Sequence, residues 1–208
     1  LRSQPYLIGI AGPSCAGKTA LAQALAAALP EPSTIFALDS YYRQLAHLPP
    51  EEREARNFDH PDALDWELIV EHVRQLARGA AIDQPVYLFD RHMRGTETKR
   101  LAPAPFVIVE GLFALYEERV RAELAAKLFV AAPDPLCFDR RKQRDVAERG
   151  RTLASVCRQY GGTVRPMAEQ FVIPTQAYAD VTLRGDQPLS DSVAEALALI
   201  GAARGQSG

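Results

Sequence analysis

Short apolar runs alternate along the chain with longer amphipathic stretches. Tyr6-Leu7-Ile8-Gly9-Ile10, Thr34-Ile35-Phe36-Ala37-Leu38, Phe106-Val107-Ile108-Val109, Lys127-Leu128-Phe129-Val130 and Asp180-Val181-Thr182-Leu183 are brief and nearly continuous. Strands buried on both faces carry that pattern, whereas half-exposed strands alternate. Helical periodicity runs through Lys18 to Leu29, Trp66 to Arg78, Leu136 to Glu148 and Ser190 to Ala203. Strand and helix in turn predict βαβ units on a mainly parallel sheet flanked by helices, an α/β fold.

Two stretches break that rhythm. From Ala80 to Leu101 an extended run through Ile82 and Phe89 meets the polar Arg91-His92-Met93-Arg94-Gly95 and continues as Thr96-Glu97-Thr98-Lys99, which predicts an inserted β-hairpin. From Asp139 to Arg151 the chain carries Arg140, Arg141, Lys142, Arg144, Arg149 and Arg151. Such density on a helix usually marks a solvated face, and Asp139, Asp145 and Glu148 sit at helical spacing to pair with it. Gly205-Gln206-Ser207-Gly208 reads as a frayed end.

Composition narrows the classes. A length of 208 residues suits one core with an appendage, so 1–208 is expected to be a single domain that includes the hairpin and the arginine-rich segment. With 24 basic and 26 acidic side chains the formal charge is −2, which argues against a general binder of nucleic acid or anionic membrane. Cys15, Cys137 and Cys157 are odd in number and lack CxxC spacing, so neither a zinc site nor a disulfide framework is suggested and a reducing cytoplasm fits. No run is long and apolar enough for a membrane span, and Leu1 to Ile10 lacks the order of a secretory signal.

Gly12-Pro13-Ser14-Cys15-Ala16-Gly17-Lys18-Thr19 changes the picture most. It matches G-x-x-x-x-G-K-[ST] directly after an apolar strand and opens an Ala/Leu-rich helix, the context that a P-loop requires. The glycines let successive backbone N–H groups and the helix N-terminus face a β-phosphate. Lys18 adds a point charge and Thr19 an oxygen for Mg²⁺, so ATP or GTP is the expected cofactor and a P-loop NTPase fold the expected frame. Glu110, which ends the run Phe106 to Val109, is placed to support the same metal. The selector Asn-Lys-x-Asp of guanine switches is missing, since the one asparagine, Asn57, precedes Phe58. An ATPase or a kinase remains, and a kinase needs an acceptor site.

Asp39 follows the strand Thr34 to Leu38. Ligands of open α/β sheets collect beyond the carboxyl ends of the strands, so Asp39 should face the P-loop crevice and could orient an acceptor hydroxyl and take its proton. On spacing alone it could equally cap a following helix.

The ordered motifs from Tyr6 to Arg184 resemble the uridine/cytidine kinase family of P-loop kinases. Asp39-Ser40-Tyr41-Tyr42 is similar to D-S-[FY]-Y, Asn57-Phe58-Asp59-His60-Pro61-Asp62-Ala63 to N-F-D-H-P-D-A, and Arg140-Arg141-x-x-Arg144-Asp145-x-x-x-Arg149-Gly150-Arg151 to an arginine lid. The resemblance implies that Asp39 is the catalytic base, with Lys18 and Arg144 acting on the transferring phosphoryl group and Arg149 on the triphosphate. It implies nucleoside binding by Asp39, Tyr42, Phe58, Asp59, Tyr87, Phe89, His92, Arg141, Arg151 and Gln159. The implied reaction phosphorylates uridine and cytidine at the 5′-hydroxyl in pyrimidine salvage, and the implied assembly is a homotetramer. Phe58, Tyr87 and Phe89 offer flat surface to a pyrimidine, and His92 can serve a carbonyl or an amino group by changing tautomer. The hairpin departs from the family's P-x-Y-D-F, reading Pro85-Val86-Tyr87-Leu88-Phe89, and Pro166-Met167 is followed by Ala168 rather than His. Two other readings stand beside this one, a kinase of the phosphoribulokinase type and a non-catalytic nucleotide-binding module. His47 and His72 are expected on the surface or on a helix face, His60 as a partner of its own loop, and Trp66 in the core.

Overall fold

A computed structural model describes residues 4–205, so the end expected to fray lies outside the described residues from Gln206 onward. In chain order the elements are β1 (Tyr6–Ala11), α1 (Lys18–Ala28), β2 (Ser33–Ala37), α2 (Pro50–Glu54), α3 (Trp66–Ala77), β3 (Ile82–Leu88), β4 (Met93–Leu101), β5 (Phe106–Glu110), α4 (Glu118–Arg121), β6 (Ala126–Ala131), α5 (Asp134–Ala147), α6 (Leu153–Gln159), α7 (Arg165–Met167), β7 (Val181–Arg184) and α8 (Leu189–Gly205). The main sheet is parallel, in the order β2-β5-β1-β6-β7. Its inner strands β5, β1 and β6 are nearly continuously apolar because both faces are covered, whereas the edge strands β2 and β7 are more exposed. Leu7, Ala11, Phe36, Val107, Val109 and Phe129 join one core with α3 and the hairpin. Ile8, Ile10, Phe106, Ile108, Leu128 and Val130 join the other, with α1 and α8. At roughly 25 cal/mol per Å² of apolar surface removed from water, those two layers are the dominant favourable contribution to folding.

Register brings the chemistry to one edge. Ala37 at the end of β2 and Ile10 near the end of β1 both pair with Glu110 at the end of β5. The P-loop, which begins at Gly12, the Asp39 turn and Glu110 therefore leave the sheet together, at the point where the chain order turns back from β5 to β1.

β3 and β4 form a separate antiparallel hairpin with an irregularity between Pro85 and Tyr87, as the sequence pattern suggested. The turn Leu38–Tyr41 is a 3₁₀ helix that carries Asp39. The hairpin is tied to it: Arg94 donates from Nε to the Tyr42 carbonyl at 2.7 Å and from Nη2 to the Tyr41 carbonyl and Asp65 Oδ2, both at 3.1 Å. Asp65 in turn caps α3. His72 lies on a helix as expected, but on the buried face of α3, with Nδ1 2.8 Å from the Tyr41 hydroxyl. His60 does serve its loop, its Nδ1 accepting from the Asp62 backbone at 3.1 Å, and Trp66 packs beside Tyr116.

The stretch from Leu153 to Tyr178 is helical almost throughout, through α6, a π-turn at Tyr160–Val164, α7, a second π-turn at Ala168–Val172 and a 3₁₀ helix at Ile173–Tyr178. Val156, Tyr160, Val164 and Val172 are its buried apolar positions. A spacing of four and eight residues drifts around an ordinary helix, and the wider π-turns bring it back to one face. Among the described residues no helix is long and apolar enough to cross a membrane.

Candidate active site

The P-loop is built for close approach. Gly12 has φ 147° and a Cβ there would lie 2.3 Å from the Val130 carbonyl oxygen, so no side chain fits. Gly17, at φ 115°, is the N-cap of α1, which has no capping side chain and no acid in its first turn. The N-terminus of α1 thus keeps its N–H groups and positive dipole end for an anion. Lys18 is buried and its Nζ donates to the Pro13 carbonyl at 2.8 Å. Burial lowers its pKa, and the charges of Glu110 and Asp39 oppose that shift. Arg140, from α5, braces the loop, donating to the Cys15 and Ala16 carbonyls at 3.4 Å and to the Gly185 carbonyl at 3.0 Å, and lines the cleft beside the other arginines of its segment.

Thr19 Oγ1 donates to Glu110 Oε1 at 3.3 Å, while the buried Oε2 of Glu110 has no hydrogen-bond partner among the described residues. Burial raises the Glu110 pKa and Lys18 opposes it. A hydroxyl and an orphaned carboxylate oxygen beside a phosphate-binding loop fit a divalent ion. Among the described residues no group of His, Cys, Asp or Glu forms a metal cage, and a Mg²⁺ that keeps waters and binds substrate phosphates needs none.

Opposite the P-loop stands an aromatic wall. Tyr42 meets Phe58 edge-on at 5.4 Å and Tyr87 at 5.1 Å, and Phe58 stacks on His92 at 5.0 Å with 18° between the planes. Tyr87 is buried and its hydroxyl has no hydrogen-bond partner among the described residues. His92 has φ 49°, a left-handed conformation rare outside glycine, and burial lowers its pKa, with Glu54 opposing. Phe89 is exposed, and the Arg149 guanidinium lies 5.5 Å from its ring. The hairpin tip and the arginine segment therefore meet across the opening.

Asp59 is buried, accepts from Thr163 Oγ1 at 3.3 Å and lies 3.8 Å from Arg141 Nη1. Burial raises its pKa, Arg141 opposing. Arg141 also donates to Ser14 Oγ at 2.9 Å and to Gln159 Oε1 at 3.2 Å, and Arg151 donates to the same Gln159 oxygen. Arg141 thus links the P-loop to the aromatic side. Asp39 is half-buried between the two sides, makes no side-chain hydrogen bond among the described residues, and its charge is felt by Lys18, Tyr42, Asp59 and Glu110.

All of these surround one open cleft of about 1730 Å³. Ser14 to Thr19, Asp39, Tyr42, Phe58, Asp59, Tyr87, Phe89, His92, Glu110, Arg141, Arg144, Arg149, Arg151 and Gln159 line it, whereas Gly12 and Pro13, the first two residues of the loop, do not. Arg53, Glu54 and Thr163 were not expected near the site. Arg53 and Glu54 line the cleft from α2. Arg53 also holds its own loop and the hairpin, donating to the Leu48 carbonyl at 2.7 Å and to Met93 Sδ at 3.3 Å. Only the helical N-terminal signal of Pro49-Pro50-Glu51-Glu52 pointed to α2.

A P-loop beside a strand-end carboxylate, facing a second pocket across one cleft, defines a kinase of the P-loop class. The chain belongs to the Phosphoribulokinase / Uridine kinase family, whose model matches residues 7–187. It is 45% identical over 186 residues to the uridine kinase of Chloroflexus aggregans, covering 89% of both chains. It is 44% identical over 183 residues to the uridine kinase of Escherichia fergusonii, covering 86% of both. Among solved structures it resembles phosphoribulokinase from Rhodobacter spheroides, with TM-score 0.64 and 14% identity over 89% of this chain and 74% of that one. At that identity the likeness concerns the fold. The protein is a phosphotransferase that uses a nucleotide phosphate donor.

Proposed function

We propose that the enzyme transfers the γ-phosphoryl group of ATP or GTP, with Mg²⁺, to the 5′-hydroxyl of uridine and of cytidine, giving UMP and CMP for pyrimidine salvage. The observation that carries this reading is the aromatic wall of Tyr42, Phe58 and Tyr87, with an unpartnered Tyr87 hydroxyl, in the same cleft as the P-loop. A sugar phosphate needs no such wall, while a pyrimidine ring would cover it and pair the hydroxyl. Relatives more than 40% identical bear the name uridine kinase, which supports uridine as acceptor.

In this reading Asp39 holds the acceptor hydroxyl and takes its proton as the oxygen attacks. Its half-buried carboxylate, free of other hydrogen bonds among the described residues, suits that task. The α1 N-terminus and Lys18 hold the phosphates, and Arg144 and Arg149 meet charge that develops during transfer. Thr19 and Glu110 would hold Mg²⁺, which supplies charge neutralisation at the phosphate oxygens. Asp59 and Arg141 hydrogen-bond the ribose hydroxyls, so deoxyribose would leave a buried polar group unpaired. The lowered pKa keeps His92 neutral at pH 7, able to donate to the uracil carbonyl or accept from the cytosine amino group.

ADP release with Mg·ATP against uridine, cytidine, deoxycytidine, adenosine, ribulose 5-phosphate and no acceptor, with products identified by mass, tests the assignment. UMP and CMP are the expected products. Turnover with ribulose 5-phosphate alone would move the enzyme to the phosphoribulokinase branch of its family.

A further inference from the structure

Asp145 is completely buried in α5 at the centre of four guanidinium groups. Arg144 is hydrogen-bonded to its Oδ1, at 2.9 Å from Nε and 2.8 Å from Nη2. Arg149 Nε lies 3.8 Å from the same oxygen. On the other oxygen, Arg141 Nε lies at 3.3 Å and Arg151 Nη1 at 3.8 Å. That Oδ2 makes no hydrogen bond, and neither does Arg141 Nε, so these are charge contacts without aligned donors. The Arg151 backbone N–H closes the turn after α5 by donating to the Asp145 carbonyl at 3.1 Å.

One carboxylate has room for about four hydrogen bonds, so it can gather four arginines while satisfying few of them. Their mutual repulsion in a half-buried site would otherwise splay them, since like charges this close repel strongly at low dielectric. The gathered groups belong to both halves of the cleft. Arg141 donates to Ser14 of the P-loop and, with Arg151, to Gln159 on the acceptor side, Arg149 lies by Phe89 at the hairpin tip, and Arg144 lines the same cleft.

We propose that Asp145 is the positioning residue of the arginine lid: it acts through the four arginines, aiming them at the transferring phosphoryl group and holding donor and acceptor arginines in one geometry. The proposal rests on the kinase reading above. It predicts a split between chemistry and binding. Removing one negative charge makes the lid more positive, so a bound triphosphate is not weakened, whereas misplacement of the arginines by about an ångström costs on the order of 10²-fold in rate.

The test compares wild type with Asp145→Asn. The kcat is expected to fall by about 30-fold or more, with the Kd of a non-hydrolysable ATP analogue, by calorimetry, unchanged or tighter. A merely structural role would lower both together with the melting temperature. Asp145→Glu serves if the Asn variant does not fold; it keeps the charge, shifts it by one methylene, and is expected to bind the analogue normally while losing kcat. Wild-type kcat in the variant, or a kcat loss matched by equal weakening of the analogue, would overturn the proposal. Failure of the pyrimidine reading is recorded separately, as wild-type protein that makes no UMP. The Asp145 comparison is then run with whichever acceptor wild type phosphorylates.

Discussion

The two sides of the cleft are built by opposite means. On the donor side the phosphate cradle is a single contiguous segment, Gly12 to Thr19, which offers backbone N–H groups and one lysine from the strand at the middle of a sheet covered on both faces, and Glu110, Arg144 and Arg149 join it from other elements. On the acceptor side the groups come from the Asp39 turn, the loop at Phe58 and Asp59, the hairpin and the segment after α5, and they recognise by side chain. Backbone that continues a core strand needs few ties, and Arg140 supplies one. Side chains on distant loops need more, and Arg94, Arg53 and Thr163 supply them. Donor binding should therefore resist most single substitutions, and acceptor binding should depend on residues that never touch the acceptor.

The largest effect that would sharpen this contrast is at the point where the sides meet. Asp39→Asn keeps the shape and removes the base, so kcat should fall by about 10³-fold with both KM values moved by no more than about threefold. Steady-state kinetics in both substrates reads this, and an unchanged kcat ends the assignment of Asp39 as base. Next comes Arg94, which ties the hairpin to the Tyr41 and Tyr42 carbonyls and to Asp65. Hydrogen bonds from a charged donor are worth about 1.5–3 kcal/mol each, so Arg94→Ala should raise KM for uridine by about 30-fold. KM for ATP should stay within about twofold, and equal changes in both would break the comparison.

A smaller effect is expected at Tyr87. Its hydroxyl is buried without a partner, so Tyr87→Phe should leave the melting temperature equal or higher while raising KM for uridine by about fivefold. Lost stability without a KM change would show that the hydroxyl serves the fold instead. The smallest effect concerns pH. Burial lowers the pKa of His72, so the unfolded chain binds more protons than the folded one as pH falls through about 6.5, and stability is lost in that direction. Asp59 and Glu110 work the other way, because burial raises their pKa in the folded state. Thermal melts of wild type and His72→Gln from pH 8 to pH 5.5 separate the two. Wild type should lose stability relative to the variant as pH falls, by about 1 kcal/mol or less over this range.

The same contrast decides what could be read from sequence. The inner strands of the main sheet were legible because burial on both faces leaves nearly continuous apolar runs, and the P-loop because its function resides in one stretch of backbone. Strand order was not legible, since nothing in β5 states that it lies between β2 and β1. Apart from Asp39, which its place at the end of a strand already pointed to, the acceptor residues were identified only through family motifs. Arg94 escaped notice because its main partners are backbone carbonyls some fifty residues away, which no spacing encodes. His72 looked like a helix-face residue until Tyr41, thirty-one positions earlier, proved to be its partner. The helical stretch Leu153 to Tyr178 was hidden by Gly161, Gly162, Pro166 and Pro174, and by a four-residue burial spacing that only π-turns accommodate.

The most direct test that the two sides form one phosphoryl-transfer site is the binding of a bisubstrate ligand, adenosine joined 5′ to 5′ with uridine through a polyphosphate chain. Calorimetry should give a Kd at least about 100-fold below that of uridine or ATP alone, with competition by each of them, because the second contact becomes intramolecular. Binding no tighter than ATP and insensitive to uridine would contradict the account, since the aromatic wall would then not be the acceptor's place.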